Sequence, residues 1–100
     1  MSRSEYEIKS ISINNTLITK VIIDDHYRER HAESITDELI LSLVNLLNNR
    51  FELPDSTDGD YSYFATIIEL ESKQYRLVWL LEDKQIYIGI VNAFRDSKGE

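Results

Sequence analysis

Hydrophobic and polar positions in the first quarter of the chain follow the two-residue period of β-strands. Residues 6–13 read YEIKSISI, and residues 16–24 read TLITKVIID, which is β-branched almost throughout. Both patterns predict strands. Asn14 and Asn15 stand between the two runs, and asparagine tolerates the positive φ values that a two-residue hairpin turn requires. The sequence therefore predicts an N-terminal β-hairpin.

The period changes to that of a helix after residue 35. Leu39, Leu43, Leu46 and Leu47 recur at helical spacing, and neighbouring apolar residues widen this stripe. Thr36 is suited to the N-cap, with two acids following it at the positive end of the helix dipole. The asparagines at 48–49 are good helix terminators. The spacing therefore predicts one long helix over residues 36–49.

The second half contains three strand-like runs, at residues 61–71, 74–82 and 85–95. Their connections, at 72–73 and 83–84, are short enough to force antiparallel hairpins. Residues 52–60 predict an exposed acidic loop, and residues 96–100 predict a frayed tail. We therefore expect one α+β domain over residues 1–100: an N-terminal β-hairpin, one long helix and a three-stranded antiparallel meander, with the helix packed on one face of the sheet.

Composition narrows the classes of function. The chain has 100 residues and no cysteine, which excludes disulfides, a thiolate nucleophile and sulfur-ligated zinc. No run approaches the roughly 18 consecutive apolar residues of a membrane span, and the first ten residues are polar, so we expect a cytoplasmic protein without membrane contact. The net charge of −7 disfavours binding to nucleic acid, because the phosphates carry the same sign of charge, and it favours a basic partner.

The stretch DDHYRERH, residues 24–31, contains both histidines of the chain. On a helical turn His26 and His31 would point about 140° apart, so they cannot form a joint metal site, and we expect neither a metal ion nor a cofactor. His26 would neighbour Arg30, and Tyr27 would neighbour His31. This arrangement suits metal-free phosphodiester cleavage, in which a histidine moves a proton and arginines neutralise charge on phosphorus.

The alternative for this stretch is a solvated connection, in which His26, Arg28 and Arg30 lie on the surface and pair with neighbouring acids. Each such pair contributes little to stability. In the cleavage hypothesis, Arg28 and Tyr27 would contact the substrate.

Residues 73–96, KQYRLVWLLEDKQIYIGIVNAFRD, resemble the closing hairpin of the RelE/ParE-like toxins. In those proteins a Tyr-Arg-apolar strand and a short acidic turn precede a second strand that ends in arginine. Upstream, RHAESITDELILSLV resembles the stretch before a helix in the wider superfamily of barnase, colicin D and RelE-like ribonucleases. The resemblance implies a helix on an antiparallel sheet and RNA cleavage without metal.

Carried over by position, the resemblance assigns the phosphate-binding and catalytic roles to Arg76, Arg95, Arg30 and His31. Flanked by apolar residues, Arg76 needs an acid or a phosphate if it is buried, unless it extends to solvent or pairs with Glu69. Asn92 is a candidate substrate ligand. Because Asn92 and Arg95 have opposite parity on one strand, only one of them can share a sheet face with Arg76 in a regular register.

Three hypotheses about function follow from these observations. The first is a small metal-independent RNA endonuclease toxin of a toxin–antitoxin or related bacterial conflict system, with RNA as substrate and a cognate antitoxin as partner. The alternative is a non-enzymatic acidic immunity or antitoxin-like protein that masks a basic partner. A third is a catalytically silent relative that keeps the fold for assembly. The sequence gives no oligomeric state. In the alternative, the partner-binding residues are acids and tyrosines in and beside the acidic loop: Glu52, Asp55, Asp58, Asp60, Tyr61 and Tyr63.

Overall fold

A computed structural model describes residues 3–24 and 35–96. These residues form one six-stranded sheet and one helix. The strands stand in the spatial order β1-β2-β6-β5-β4-β3. The elements, in chain order, are β1 (Arg3–Ile13), β2 (Thr16–Asp24), α1 (Asp37–Asn45), β3 (Ser56–Asp58), β4 (Tyr61–Leu70), β5 (Lys73–Glu82) and β6 (Tyr87–Arg95).

The predicted hairpins are confirmed. β1 pairs antiparallel with β2, and both turn residues, Asn14 and Asn15, have positive φ values of 52° and 62°. These are the φ signs of the turn whose twist matches two flanking strands. β4, β5 and β6 form an antiparallel meander, in which β4 and β5 pair without a register shift and β5 and β6 have one at Val78 and Trp79.

The predicted fold class, an α+β domain with one long helix packed on an antiparallel sheet, is wrong. Strand residues make up 63% of the described residues and helical residues only 11%. The sheet is mixed, because β2 pairs in parallel with β6 and so joins the hairpin to the meander. β2 is apolar on both parities, and a neighbour on its second edge satisfies its remaining backbone groups.

The helix is shorter than predicted because its last turns tighten and attach to β1. After Asn45, three successive backbone bonds connect residues three apart, from Leu46 to Asn48. The backbone of Ser12, in β1, then binds the residues that follow the helix. Its N–H donates to the Asn48 side chain at 2.9 Å, and its carbonyl accepts the Asn49 N–H at 2.7 Å. Asn49 has a φ of 69°, which ends the helical conformation.

One hydrophobic core joins the inner face of the sheet to α1. Leu43, Leu47, Leu77 and Trp79 are buried, whereas Leu39, on the predicted apolar face of the helix, is only partly buried. Most of the other buried apolar side chains come from β1, β2, β4, β5 and β6. Within residues 3–24 and 35–96, no helix is long and apolar enough to cross a membrane.

The predicted loop at residues 52–60 contains more structure than its composition indicates. β3 lies within it and pairs with the start of β4. Glu52 is attached at both ends: its N–H donates to Asn14 Oδ1 at 2.7 Å, and its carboxylate accepts from Thr66 Oγ1 at 3.2 Å. Glu52 also lies 3.8 Å from an Arg50 guanidinium nitrogen. It is therefore a structural acid and not a free one.

Candidate partner-binding surface

The histidine cluster lies outside the described residues, since residues 25–34 are not among them. The predictions for its members can therefore be compared with the structure only through the sheet residues proposed to act with them. The predicted residues in that stretch are His26, Tyr27, Arg28, Arg30 and His31.

Arg76 lies on the outer face of β5 and forms an ion pair with Asp96. The distance from Arg76 Nη2 to Asp96 Oδ2 is 3.5 Å, and the two side chains are 38% and 9% exposed. Asp96 is held by its own N–H, which donates to the Gln74 carbonyl at 2.9 Å. The partner of Arg76 is thus a carboxylate, though not Glu69. The prediction of a frayed tail from residue 96 is wrong for Asp96, which is buried.

Arg95 lies on the other face of the sheet. It is directly opposite the buried Tyr75, and its guanidinium carbon is 6.0 Å from the centre of that ring. Asn92 is opposite Val78, so it shares the outer face with Arg76, as sequence parity allowed for one of the two. The structure therefore does not bring Arg76 and Arg95 to one phosphate-sized site.

The acidic residues meet at one end of the sheet. The turns between β1 and β2, between β3 and β4, and between β5 and β6 lie side by side there. The Asp83 N–H, in the turn between β5 and β6, donates to the Asp60 carbonyl at 2.8 Å. In the ladder, Tyr61 is opposite Asp58 on one side and opposite Glu82 on the other. The acids of these two hairpins thereby form one surface, in which Glu82 is half-buried and the other four are exposed. We call this surface the acidic end: Asp55, Asp58, Asp60, Glu82 and Asp83.

Sequence reasoning missed Glu82 and Asp83. Glu82 was predicted only as the last residue of a strand, and Asp83 only as part of the connection at 83–84. The signal was available, because in an antiparallel meander the turn after β5 returns to the end of the sheet where β4 begins. That end carries the acidic loop.

Three tyrosines border the acidic end on the outer face. The ring centres of Tyr61 and Tyr63 are 6.5 Å apart with a tilt of 34°, and Tyr61 is 38% exposed. The Tyr87 hydroxyl donates to Glu82 Oε1 at 2.6 Å. Burial, together with the hydrogen bond to Glu82 and the charge of Glu82, raises the pKa of the Tyr87 phenol above its usual range.

Two depressions open near the acidic end, one beside Tyr61 and Tyr87 and the other between the hairpin turns. One, of about 310 Å³, lies on the outer face, with Gly89 and Leu80 in its wall. A Cβ on Gly89 would come within 2.9 Å of Leu80 Cδ1, so the glycine lets Leu80 lie close against β6. The second, of about 320 Å³, lies between the turns. Phe64 and Leu81 form its apolar part, and its rim is charged: Asp60, Glu82, Asp83 and Lys84.

The second depression has the chemistry to receive a basic side chain. A lysine or arginine can lay its aliphatic stem along apolar surface while its charged head contacts carboxylates. Among the described residues, no group of three or more histidine, aspartate or glutamate side chains is placed to hold a metal ion.

Comparisons of this chain with models of protein families, with curated proteins and with solved structures find no match. The resemblance to the RelE/ParE-like toxins therefore stays a prediction from residues 73–96 and the stretch before the helix.

Proposed function

We propose that this protein is a non-enzymatic binding protein that recognises a basic protein partner through the acidic end and its tyrosines. The observation that carries the proposal is the Asp83 to Asp60 hydrogen bond, which joins the acids of two hairpins beside Tyr61. The net charge of −7 adds a long-range field of the same sign. Such a field raises the rate at which a cationic partner is encountered.

The tyrosines contribute binding affinity that exposed carboxylates do not. Exposed charges steer a partner but contribute little affinity, because water and salt screen them. Tyrosine buries a large apolar area while its hydroxyl keeps a hydrogen-bonding partner, which is why it is enriched at interfaces. Tyr61 and Tyr63, next to the acidic end, therefore support a surface that both attracts and holds a protein.

The endonuclease function remains a prediction that rests mainly on residues 25–34. The described residues favour the binding function over it, since Arg76 already has an acidic partner and Arg95 lies on the opposite face. We further propose that the protein acts in the cytoplasm. Its chain has no cysteine and so cannot form the disulfides that are common in proteins of oxidising compartments.

The test compares two triple variants of equal charge. Asp55→Asn, Asp58→Asn and Asp60→Asn together change the net charge from −7 to −4, because each substitution removes one negative charge. Glu7→Gln, Glu38→Gln and Glu71→Gln make the same change at exposed positions away from the acidic end. A partner captured with the wild-type protein is then measured against both variants at low and high salt.

We expect the aspartate variant to slow association about tenfold or more at low salt, and the control variant to slow it far less. The difference between the variants should shrink at high salt. Equal association rates for the two variants, or failure to capture any partner that high salt releases, would contradict the proposal.

A further inference from the structure

The second half of β4 forms an uncovered edge of the sheet. β3 pairs only with Tyr61, Ser62 and Tyr63, and β4 continues to Leu70. β3 begins at Ser56, and the ladder leaves its register just before it, because the Asp55 N–H donates to the carbonyl of Tyr63, the residue opposite Ser56. Pro54, the residue before Asp55, has no N–H to donate to a ladder. Among the described residues, no strand lies beside residues 65–70 on this side.

Alternate residues of β4 direct their backbone groups to this edge. The Asp55 N–H donates to the Tyr63 carbonyl at 2.8 Å, so Tyr63 faces the β3 side. Because β4 and β5 pair without a register shift, Ala65, Ile67 and Glu69 face the same side. Within the described part of the chain, their N–H and C=O groups have no backbone hydrogen bond on that side.

The two edges of the sheet differ in how they are protected. β1, at the opposite edge, alternates charged residues along its length and has a register shift between Glu7 and Ile11. Charges and bulges of this kind discourage pairing with another strand. β4 is regular, and Ile67 in the middle of its uncovered part is 49% exposed. An exposed, regular and apolar edge is a template for strand addition.

We propose that this edge of β4 binds an extended segment of the basic partner as an added antiparallel strand, in line with β3. The proposal rests on the proposed function for the nature of that partner. Charge supports a basic segment, because Glu69 is the only charged residue among residues 65–70 and Arg76, opposite Ile67 on β5, already pairs with Asp96. The segment places a basic side chain opposite Glu69, an apolar one opposite Ile67 and a small one opposite Ala65.

A second copy of the chain fits this edge less well. Antiparallel pairing centred on Ile67 would bring Glu71 of one copy to Tyr63 of the other, where Ser56 already pairs. It would also oppose two chains that each carry −7.

The experiment uses a disulfide-closed hairpin peptide whose free strand reads Lys-Thr-Ile-Thr-Ala, and amide hydrogen exchange as the readout. In the protein alone, we expect the amides of Ala65, Ile67 and Glu69 to exchange much faster than those of Thr66 and Ile68, which face β5. Saturating peptide should slow the first three about tenfold or more and leave the others unchanged. Unchanged exchange of those three amides at saturation would overturn the proposal.

Ile67→Pro removes the outward N–H without removing a bond to β5, and we expect it to weaken peptide binding about tenfold or more. Ile67→Val keeps both the N–H and an apolar side chain, and it serves as the control. If the proline variant does not fold, Glu69→Lys replaces it: it should lose the lysine peptide and regain binding to a peptide with glutamate at the first position. Equal binding by variant and control, or by both peptides to Glu69→Lys, would overturn the strand addition.

The two proposals can fail separately. If the triple aspartate variant weakens binding of a captured partner and Ile67→Pro does not, the proposed function is supported and the strand addition is contradicted. A partner indifferent to the triple variant would remove the proposed function itself.

Discussion

Trp79 donates its indole N–H to the hydroxyl oxygen of Thr66, 3.0 Å away, inside the core. Thr66 in turn donates to Glu52 at 3.2 Å. The indole is fully buried and stacks on Phe64, with ring centres 4.0 Å apart and planes 9° from parallel. The hydroxyl therefore satisfies a buried donor and fixes the start of the segment that leads to the acidic end.

The Thr66 hydroxyl can be removed without changing the size of the side chain. We expect Thr66→Val to lower the free energy of unfolding by about 1–3 kcal/mol, since it leaves the Trp79 N–H buried without an acceptor. Thr66→Ser keeps the hydroxyl and should cost about 1 kcal/mol or less through its lost methyl group. Urea denaturation measures both. An equal loss in the two variants would show that packing, not the hydrogen bond, matters here.

The hairpin turn between β1 and β2 offers a matched pair of asparagines. Both have positive φ, but Asn14 also makes two side-chain hydrogen bonds to the Glu52 backbone, at 2.7 and 3.0 Å. Glycine accepts positive φ without strain. We therefore expect Asn15→Gly to change stability by less than about 0.5 kcal/mol and Asn14→Gly to lower it by about 1–2 kcal/mol. The same denaturation measurement decides, and equal effects would contradict the role of the Glu52 contacts.

The raised pKa of Tyr87 predicts a dependence of stability on alkaline pH. The folded protein holds the phenol proton more tightly than the unfolded chain, in which tyrosine has its ordinary pKa of about 10. This stabilisation is complete below that value and is lost as the pH rises through the folded-state pKa. Tyr87→Phe should therefore flatten the fall in unfolding free energy above pH of about 10. Tyr63→Phe, which leaves the Tyr87–Glu82 bond in place and removes no group that shifts the pKa of Tyr87, should not.

The binding function predicts that the purified protein does not cleave RNA in the presence of a chelator. Arg76 is paired with Asp96, and Arg95 is on the other face, so these two arginines do not stabilise one phosphate. Gel analysis of labelled RNA gives the answer. Cleavage that disappears in His26→Ala or His31→Ala, at unchanged thermal stability, would replace the binding proposal with the nuclease hypothesis.

Local features of the fold were predictable from the sequence, and contacts between distant segments were not. Asn14 and Asn15 identify their hairpin because their φ preference is a property of the residues themselves. The early end of the helix depends on Ser12, which binds Asn48 and Asn49 from another element. No periodicity in one segment can show such a contact.

The same limit applied to the candidate site. The acids and tyrosines at residues 55–63 were identified from composition, whereas Glu82 and Asp83 join them only through the meander. For Arg76, the sequence required an acid or a phosphate only if the side chain was buried. Its side chain is 38% exposed and pairs with Asp96, which looked like part of a tail. The burial of Asp96 follows from the bond of its N–H to Gln74, which continues the ladder between β5 and β6.

The parallel pairing of β2 with β6 has a consequence for the order of folding during synthesis. The hairpin of β1 and β2 is made well before its neighbour in the sheet, Tyr87–Arg95, because the helix and three other strands lie between them in the sequence. Until then the second edge of β2 has no strand to pair with, and an isolated hairpin is only marginally stable. The sheet therefore closes late, after translation of its last strand, and pairing between residues so distant in sequence slows the folding of a small domain.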